Sequence, residues 1–347
     1  MSRTSIYSVS DWVEVRSKEE ILKTLDRKGQ LEGLPFMPEM FAFCGKRFRV
    51  AKRAHKTCDT VNQTGGRRMA SAIHLEGVRC TGEAHGGCQA LCLIFWKDEW
   101  VKPIDAAGHA SEGPASAPEP PIGTQCTEDD VRAGTHAHPP SSAGEPHYVC
   151  QATQLADATA PLPWWSISQY AEDYASGNVS LLQLTKGGIY SLAYHLIQSG
   201  IGLGPPLRWL YDQFQELRGG VPFPRRPGAI ALDQPTPAGS LKLQPGELIR
   251  VKSYREILAT LNKENKNRGL YFDAEMVPYC GGTYRVLKVV HQILDEKTGR
   301  MQRMKSPCII LDSVVCQARY STCRMFCPRS IYPYWRELWL ERVPEHP

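Results

Sequence analysis

Long apolar runs, secretory features and a strong excess of one charge are all missing from this sequence of 347 residues. No stretch of about 18 apolar residues occurs, so no membrane-spanning helix is expected. The N-terminal residues do not combine a charged stretch with an apolar core, so no secretory signal is expected and the predicted location is cytoplasmic. Because 41 Lys and Arg face 36 Asp and Glu, the net charge of +5 gives no reason to expect nucleic-acid binding.

Familiar catalytic and nucleotide-binding motifs are missing as well. The sequence contains no G-x-G-x-x-G, G-x-S-x-G or H-E-x-x-H pattern, so it indicates neither a dinucleotide site nor a serine hydrolase nor a zinc protease. Disorder of the whole chain is not expected, because 42% of the residues are hydrophobic and the charges nearly balance. The length suits two domains of ordinary size.

Cysteine, in contrast, is plentiful, with twelve residues in the chain. The cytoplasm keeps thiols reduced, so these cysteines are not expected to form a disulfide framework. Metal binding or redox chemistry is the expected use of so many thiols.

The chain contains an internal duplication. Residues 11–55 and 247–291 align without a gap and share 18 identities over 45 positions. Chance does not produce this similarity, so we treat the two segments as copies of one unit. The alignment then continues through five further pairs: Cys80 with Cys316, Cys88 with Cys323, Cys92 with Cys327, Trp96 with Trp335, and Trp100 with Trp339.

Each copy predicts a short strand, a helix and several further short strands. Ser17 with Glu20, and Ser253 with Glu256, have the spacing of a capping box at a helix start. The opening V-x-V strand and the later G-x-x-x-R-V strand resemble those of SH3-type barrels. We therefore predict an α+β fold with two duplicated, small, SH3-like barrel domains that bind metal and are joined by a linker and a helical segment.

Composition changes along the chain set the predicted boundaries. Residues 1–104 and 241–347 form the two four-cysteine repeat domains, residues 105–150 form a flexible linker rich in Ala, Gly, Pro and Ser, and residues 151–240 form a central helical segment. Between Val179 and Leu207 the only charged residue is Lys186. This stretch predicts a buried helix that ties the two copies together, with a docking surface as the alternative.

Eight of the twelve cysteines occur in both copies, four in each. A buried thiol is easily exchanged for Val, Ala or Ser, so retention of all four indicates a joint constraint, and a four-thiolate metal site is such a constraint. The remaining four, Cys58, Cys126, Cys150 and Cys308, have no counterpart in the other copy. The predicted cofactor-binding and metal ligands are Cys44, Cys80, Cys88, Cys92, Cys280, Cys316, Cys323 and Cys327.

The spacing of these cysteines favours iron–sulfur over zinc. Structural zinc sites are usually built from short C-x2-C pairs, and neither quartet contains one. An iron–sulfur cluster is larger than a zinc ion and accepts wider ligand spacing, such as the C-x7-C-x3-C and C-x6-C-x3-C found here. The predicted cofactors are two iron–sulfur clusters of the [4Fe–4S] type, and two zinc ions are the alternative.

The strings LPFMPEMFAFCGKRFRV, FDAEMVPYCGGTYRV and YSTCRMFCPRSIY resemble a family of uncharacterised bacterial proteins with two cysteine-rich repeats. The resemblance covers most of both copies and the central helical segment. It implies no known activity.

Two functions follow as hypotheses. In the first, the protein carries two iron–sulfur clusters and transfers electrons to or from a redox partner protein, as part of a biosynthetic pathway. If it is an enzyme, it is an iron–sulfur-dependent oxidoreductase. In the second, two zinc sites stabilise a scaffold or binding module for nucleic acid or an acidic protein, which the modest net charge does not favour.

Overall fold

The computed structural model describes residues 4–62, 64–105, 125–137, 145–199, 202 and 204–343. Helices and several small sheets occur together, as expected for an α+β chain. The described chain separates into two compact units. The first unit comprises Met1–Leu181, Gln292–Arg303 and Phe326–Arg329, and the second comprises Leu182–His291, Met304–Met325 and Ser330–Pro347.

The first unit is built on short antiparallel strands. Its helices are α1 (Lys18–Leu22), α2 (Glu128–Ala133) and α3 (Ile167–Ala175). Its strands are β1 (Trp12–Val15), β2 (Gln30–Leu31), β3 (Leu34–Pro35), β4 (Arg47–Arg53), β5 (Lys56–Cys58), β6 (Gly66–Met69), β7 (Ala72–Leu75), β8 (Trp96–Lys97), β9 (Val101–Pro103) and β10 (Thr159–Leu162).

Five of these strands form one antiparallel sheet in the order β8-β7-β4-β1-β9, and three form another in the order β10-β6-β5. Strand β1 alternates in burial, with Val13 and Val15 fully buried and Trp12 half exposed, which is the period-two pattern of a strand with one face on a core. Trp96 and Trp100 are buried in that core, and the indole Nε1 of Trp100 donates a hydrogen bond to the hydroxyl of Thr24 at 3.1 Å.

The second unit repeats this arrangement around its own core. Trp335 and Trp339 are fully buried, and the indole Nε1 of Trp339 donates to the hydroxyl of Thr260 at 2.9 Å. The remaining elements are helices α4 (Leu181–Gln198), α5 (Gly204–Leu217) and α6 (Tyr254–Leu258), and strands β11 (Leu248–Val251), β12 (Lys266–Asn267), β13 (Leu270–Tyr271), β14 (Thr283–Leu294), β15 (Met301–Leu311) and β16 (Leu340–Arg342). They belong to the second unit except for Leu181 and for the parts of β14 and β15 within Gln292–Arg303, which belong to the first. Its main sheet has the order β15-β14-β11-β16.

Corresponding elements occur in the same order in the two repeats. The predicted capping boxes are confirmed at α1 and α6, where Ser17 and Ser253 accept from the amides of Glu20 and Glu256. A single 3-10 turn then precedes the first cysteine of each predicted quartet, at Pro38–Phe43 before Cys44 and at Ala274–Tyr279 before Cys280.

The segment between the repeats differs from the expectation in two ways. Helix α2 lies inside the predicted linker 105–150, of which residues 106–124 and 138–144 lie outside the described residues. The predicted central segment 151–240 is divided between the two units after Leu181.

Helix α4 is also not the buried helix that its lack of charge predicts. Only one stripe of it is buried, where Tyr190 and Ile197 pack with Phe223, and Ile189 and Leu192 are each more than 60% exposed. The predicted burial was wrong because apolar composition does not fix how many faces of a helix find partners.

In the described part of the chain, every helix is too short or too polar to cross a bilayer.

Candidate functional site

Four thiols of the first unit line one cavity, namely those of Cys80, Cys88, Cys92 and Cys150. The cavity has a volume of about 40 Å³, well above the roughly 10–15 Å³ that one buried water requires. Apolar side chains, including Ile94 and Phe95, form much of the remaining wall. The arrangement concentrates thiol donors in a partly open, largely apolar cavity, in which Cys150 is buried and Cys80, Cys88 and Cys92 are partly exposed.

The backbone places Cys80 and Cys92 opposite each other. The amide of Cys80 donates to the carbonyl of Cys92 at 2.9 Å, beside an antiparallel bridge between Arg79 and Leu93. The intervening chain turns tightly at Gly82, whose φ is +78°. A Cβ on Gly82 would lie 1.9 Å from the carbonyl oxygen of Cys88, so this close approach requires glycine.

A compact group of three potential ligands adjoins the thiols. The thiol of Cys80 donates to Oε1 of Glu39 at 3.1 Å, and Nδ1 of His85 lies 3.5 Å from the same oxygen. His85 is 1% exposed, and neither of its ring nitrogens has a hydrogen-bond partner among the described residues. Glu39, Cys80 and His85 are the one set of three or more such residues in the described ranges whose ligand atoms all lie within 4.8 Å of one another.

The electrostatics of the cavity favour neutral thiols when no metal is bound. Burial raises the pKa of Cys92 to about 12 and that of Cys150 to about 11. The pKa of Cys80 is raised by burial and then by the charges of Glu39 and Cys92. Burial opposes ionisation of Glu39, but the neighbouring His85 imidazole and the bond from Cys80 hold the pKa of this carboxyl below its usual value. A metal ion entering the cavity therefore displaces thiol protons.

Part of the cavity wall comes from segments late in the sequence that belong to the first unit. Leu294, Glu296 and Arg329 line it, and the amide of Leu294 points to the sulfur of Cys88 at 3.3 Å. Arg329 is 3% exposed, and its guanidinium donates to Oε1 of Glu296 at 2.7 Å and to the hydroxyl of Thr60 at 2.9 Å. The cavity thus contains a buried, hydrogen-bonded cation.

Three of the four cysteines predicted for the first quartet meet at this cavity, and the fourth does not line it among the described residues. Cys44 ends the 3-10 turn Pro38–Phe43, and packs against the core. The fourth cysteine that lines the cavity is Cys150. The comparison of the two copies could not find it, because Cys150 has no counterpart in the second copy. The neighbouring Gln151 fixes this segment, with a side chain that accepts from the amide and donates to the carbonyl of Phe95.

The second predicted quartet is divided between the two units. Cys280, Cys316 and the exposed Cys323 belong to the second unit, whereas Cys327 is buried in the first. A four-thiolate site from these residues stays a prediction.

The backbone around Cys316 also differs from that around Cys80. The amide of Cys316 donates to the carbonyl of Ile331 at 2.8 Å, so Ile331 has the place that Cys92 has in the first repeat. Glu275, the counterpart of Glu39, accepts from the amides of Arg319 and Tyr320 at 3.0 and 2.5 Å. In the second repeat this glutamate supports a turn.

No family model, curated protein or solved structure matches this chain. Its function is therefore inferred from the chemistry of its own side chains.

Proposed function

We propose that the first unit binds an iron–sulfur cluster in the cavity lined by Cys80, Cys88, Cys92 and Cys150, and that the protein transfers electrons with a redox partner protein. The observation that carries this proposal is that four cysteines line one largely apolar cavity. Four thiolates are the usual ligand set of a [4Fe–4S] cluster.

The surroundings of the thiols fit such a group. Ile94, Phe95 and Leu294 form an apolar part of the wall, and the amide of Leu294 is a donor to the Cys88 sulfur. Hydrogen bonds to the sulfurs and a low-dielectric setting are the means by which proteins tune such clusters. When bound, the cluster would supply one-electron redox chemistry, and the chain would position and shield it.

The wider hypothesis assigns one cluster to each of two SH3-like repeats. The second cluster would use Cys280, Cys316, Cys323 and Cys327, and metal counting distinguishes the two cases. Protein purified without oxygen should be brown and contain iron and acid-labile sulfide, with about four irons per chain for one [4Fe–4S] cluster and about eight for two. Colourless protein without iron would overturn the proposal.

Single cysteine variants test which thiols hold the cluster. We expect Cys150→Ser to lose most of the iron, because Cys150 lines the cavity, and Cys44→Ser to retain it. Cys126→Ser is the matched control, since Cys126 is a buried thiol whose hydroxyl replacement creates a similar packing defect away from the cavity. Iron loss in Cys44→Ser together with retention in Cys150→Ser would favour the quartet expected from the sequence.

Zinc is the second candidate, and the group of Glu39, Cys80 and His85 favours it. One thiol, one imidazole and one carboxylate within 4.8 Å form a donor set that suits a single zinc ion with one open position. Because structural zinc sites have four protein ligands, a zinc-stabilised scaffold or binding module would require a fourth protein ligand beside these three. His85→Ala separates the candidates, because it should release zinc from such a site and leave the iron content of a four-thiolate cluster unchanged.

A further inference from the structure

The thiol cavity contains one buried cation whose position is fixed by two partners. Arg329 lines the cavity, is 3% exposed, and donates to Glu296 at 2.7 Å and to Thr60 at 2.9 Å. Thr60 in turn donates to the other oxygen of Glu296. Since three groups hold one another in place, the guanidinium cannot turn away from the cavity without breaking these partly buried hydrogen bonds.

Arg329 comes from a stretch in which the two repeats differ in length. The chain from Cys316 to Trp335 is three residues longer than the chain from Cys80 to Trp96, although the backbone pairs Ile309 with Trp335 as it pairs Ile73 with Trp96. The longer stretch includes Phe326–Arg329, which belongs to the first unit. The stretch that differs in length between the repeats therefore supplies Arg329 to the cavity of the first unit.

Arg329 lines the same cavity as Cys92, and its side chain is 3% exposed, whereas the side chain of its partner Glu296 is 25% exposed. Solvent therefore screens the carboxylate more than the guanidinium, and the pair leaves a net positive influence in the cavity. In a buried site such interactions are screened much less than at the surface.

We propose that Arg329 is a positioning residue of the metal centre, and that its guanidinium, fixed by Glu296 and Thr60, raises the reduction potential of a cluster held by the four thiols. This inference rests on the proposed function. Uptake of one electron from a donor protein adds one negative charge to the cavity, and a fixed positive charge in the wall stabilises that reduced state. Glu296 has the opposite effect, so the two residues set the potential between them.

Two charge-removing variants with opposite expected signs test this inference. In redox titrations of anaerobic protein with dithionite and mediators, Arg329→Gln should lower the ratio of reduced to oxidised cluster at a fixed potential by about tenfold, which is a shift of about 59 mV for one electron. Glu296→Gln should shift the ratio the other way. Arg329→Lys keeps the charge and should stay near the wild-type potential, and Arg47→Gln is a surface control.

The outcomes separate a tuning role from a structural one. Loss of packing alone would move both glutamine variants in the same direction, and that result, or no shift in either, would overturn the inference. If Arg329→Gln does not retain the cluster, the inference is tested by Glu296→Gln alone, which must raise the reduction potential. A wild-type protein that contains iron but shows no opposite shifts refutes only the inference, whereas a wild-type protein without iron refutes the proposed function and the inference falls with it.

Discussion

The amide of Cys80 donates to the carbonyl of Cys92 at 2.9 Å, whereas the equivalent amide of Cys316 donates to the carbonyl of Ile331. The same backbone contact therefore brings two thiols together in the first repeat and a thiol and an isoleucine together in the second. Alignment of the two copies by their cysteines pairs Cys92 with Cys327, and the backbone pairs it with Ile331.

This difference predicts unequal effects of two serine substitutions. Cys92→Ser should remove most of the iron from the cavity, because it deletes one of four converging ligands. Cys327→Ser should leave the iron of this cavity in place. Iron and sulfide analysis of the two variants purified in parallel is the measurement, and equal losses would show that Cys327 also holds metal.

Gly82→Ala should disrupt metal binding without removing any ligand. The added Cβ would meet the carbonyl of Cys88 at 1.9 Å, so the turn that holds Cys88 and His85 must open. Gly45→Ala is the matched control, since Gly45 also has a positive φ (+71°) but its Cβ would meet nothing within 4 Å. Both variants should lose about 1–2 kcal/mol from backbone strain. Normal metal content in Gly82→Ala would show that the turn at Gly82 does not position the metal ligands.

Asp173→Ala should strongly destabilise the first unit. Lys56 and Asp173 are both buried, with Nζ and Oδ2 2.5 Å apart, and Nε2 of His55 lies 3.3 Å from the other oxygen. Burial lowers the pKa of Lys56 and the charge of Asp173 opposes that change, so removal of the carboxylate leaves a buried ammonium without its counter-ion. The expected loss is about 3–5 kcal/mol.

Urea unfolding monitored by tryptophan fluorescence measures this loss. Glu264→Ala is its control, because Glu264 and Lys266 form an exposed pair whose removal should cost less than about 1 kcal/mol. Similar midpoints for the two variants would show that the buried pair does not stabilise the fold.

Because the pKa of Asp98 is raised in the folded state, the stability of the first unit should fall as the pH rises from 4 to 6. Burial raises the pKa of Asp98 from 3.8 to about 6, although Ser5 and the amide of Ile6 donate hydrogen bonds to it. The folded state therefore binds this proton more tightly than the unfolded state. The resulting stability is fully present below about pH 4 and is lost as the pH rises through about 6.

Asp98→Asn should remove this contribution, which amounts to about 3 kcal/mol below about pH 4 because the pKa of Asp98 is raised from 3.8 to about 6. Urea unfolding of both proteins at pH 5 and pH 7.5 measures it. When the pH is lowered from 7.5 to 5, the free energy of unfolding should increase more for the wild type than for the variant. Parallel pH profiles would show that Asp98 does not cause the pH dependence.

Local features of the sequence were the most predictable part of the fold. The capping boxes at Ser17 and Ser253 depend on residues three positions apart, and such short-range patterns have the same meaning in any tertiary setting. The burial of Trp96 and Trp335 at matching points of the two cores follows the same logic. Helix α4 was not predictable in this way, because its exposed leucines depend on which neighbours the rest of the chain provides.

The sequence by itself determined the repeated order of strands and helices and three of the cysteines at the cavity, because these follow from local periodicity and from comparison of the two copies. Only the tertiary structure brought Cys150, Glu296 and Arg329 to the same cavity, since residues so far apart in the chain meet through packing and leave no periodic pattern. It also placed Ile331 opposite Cys316, because a length difference shifts the backbone contact while the cysteine spacing stays almost unchanged.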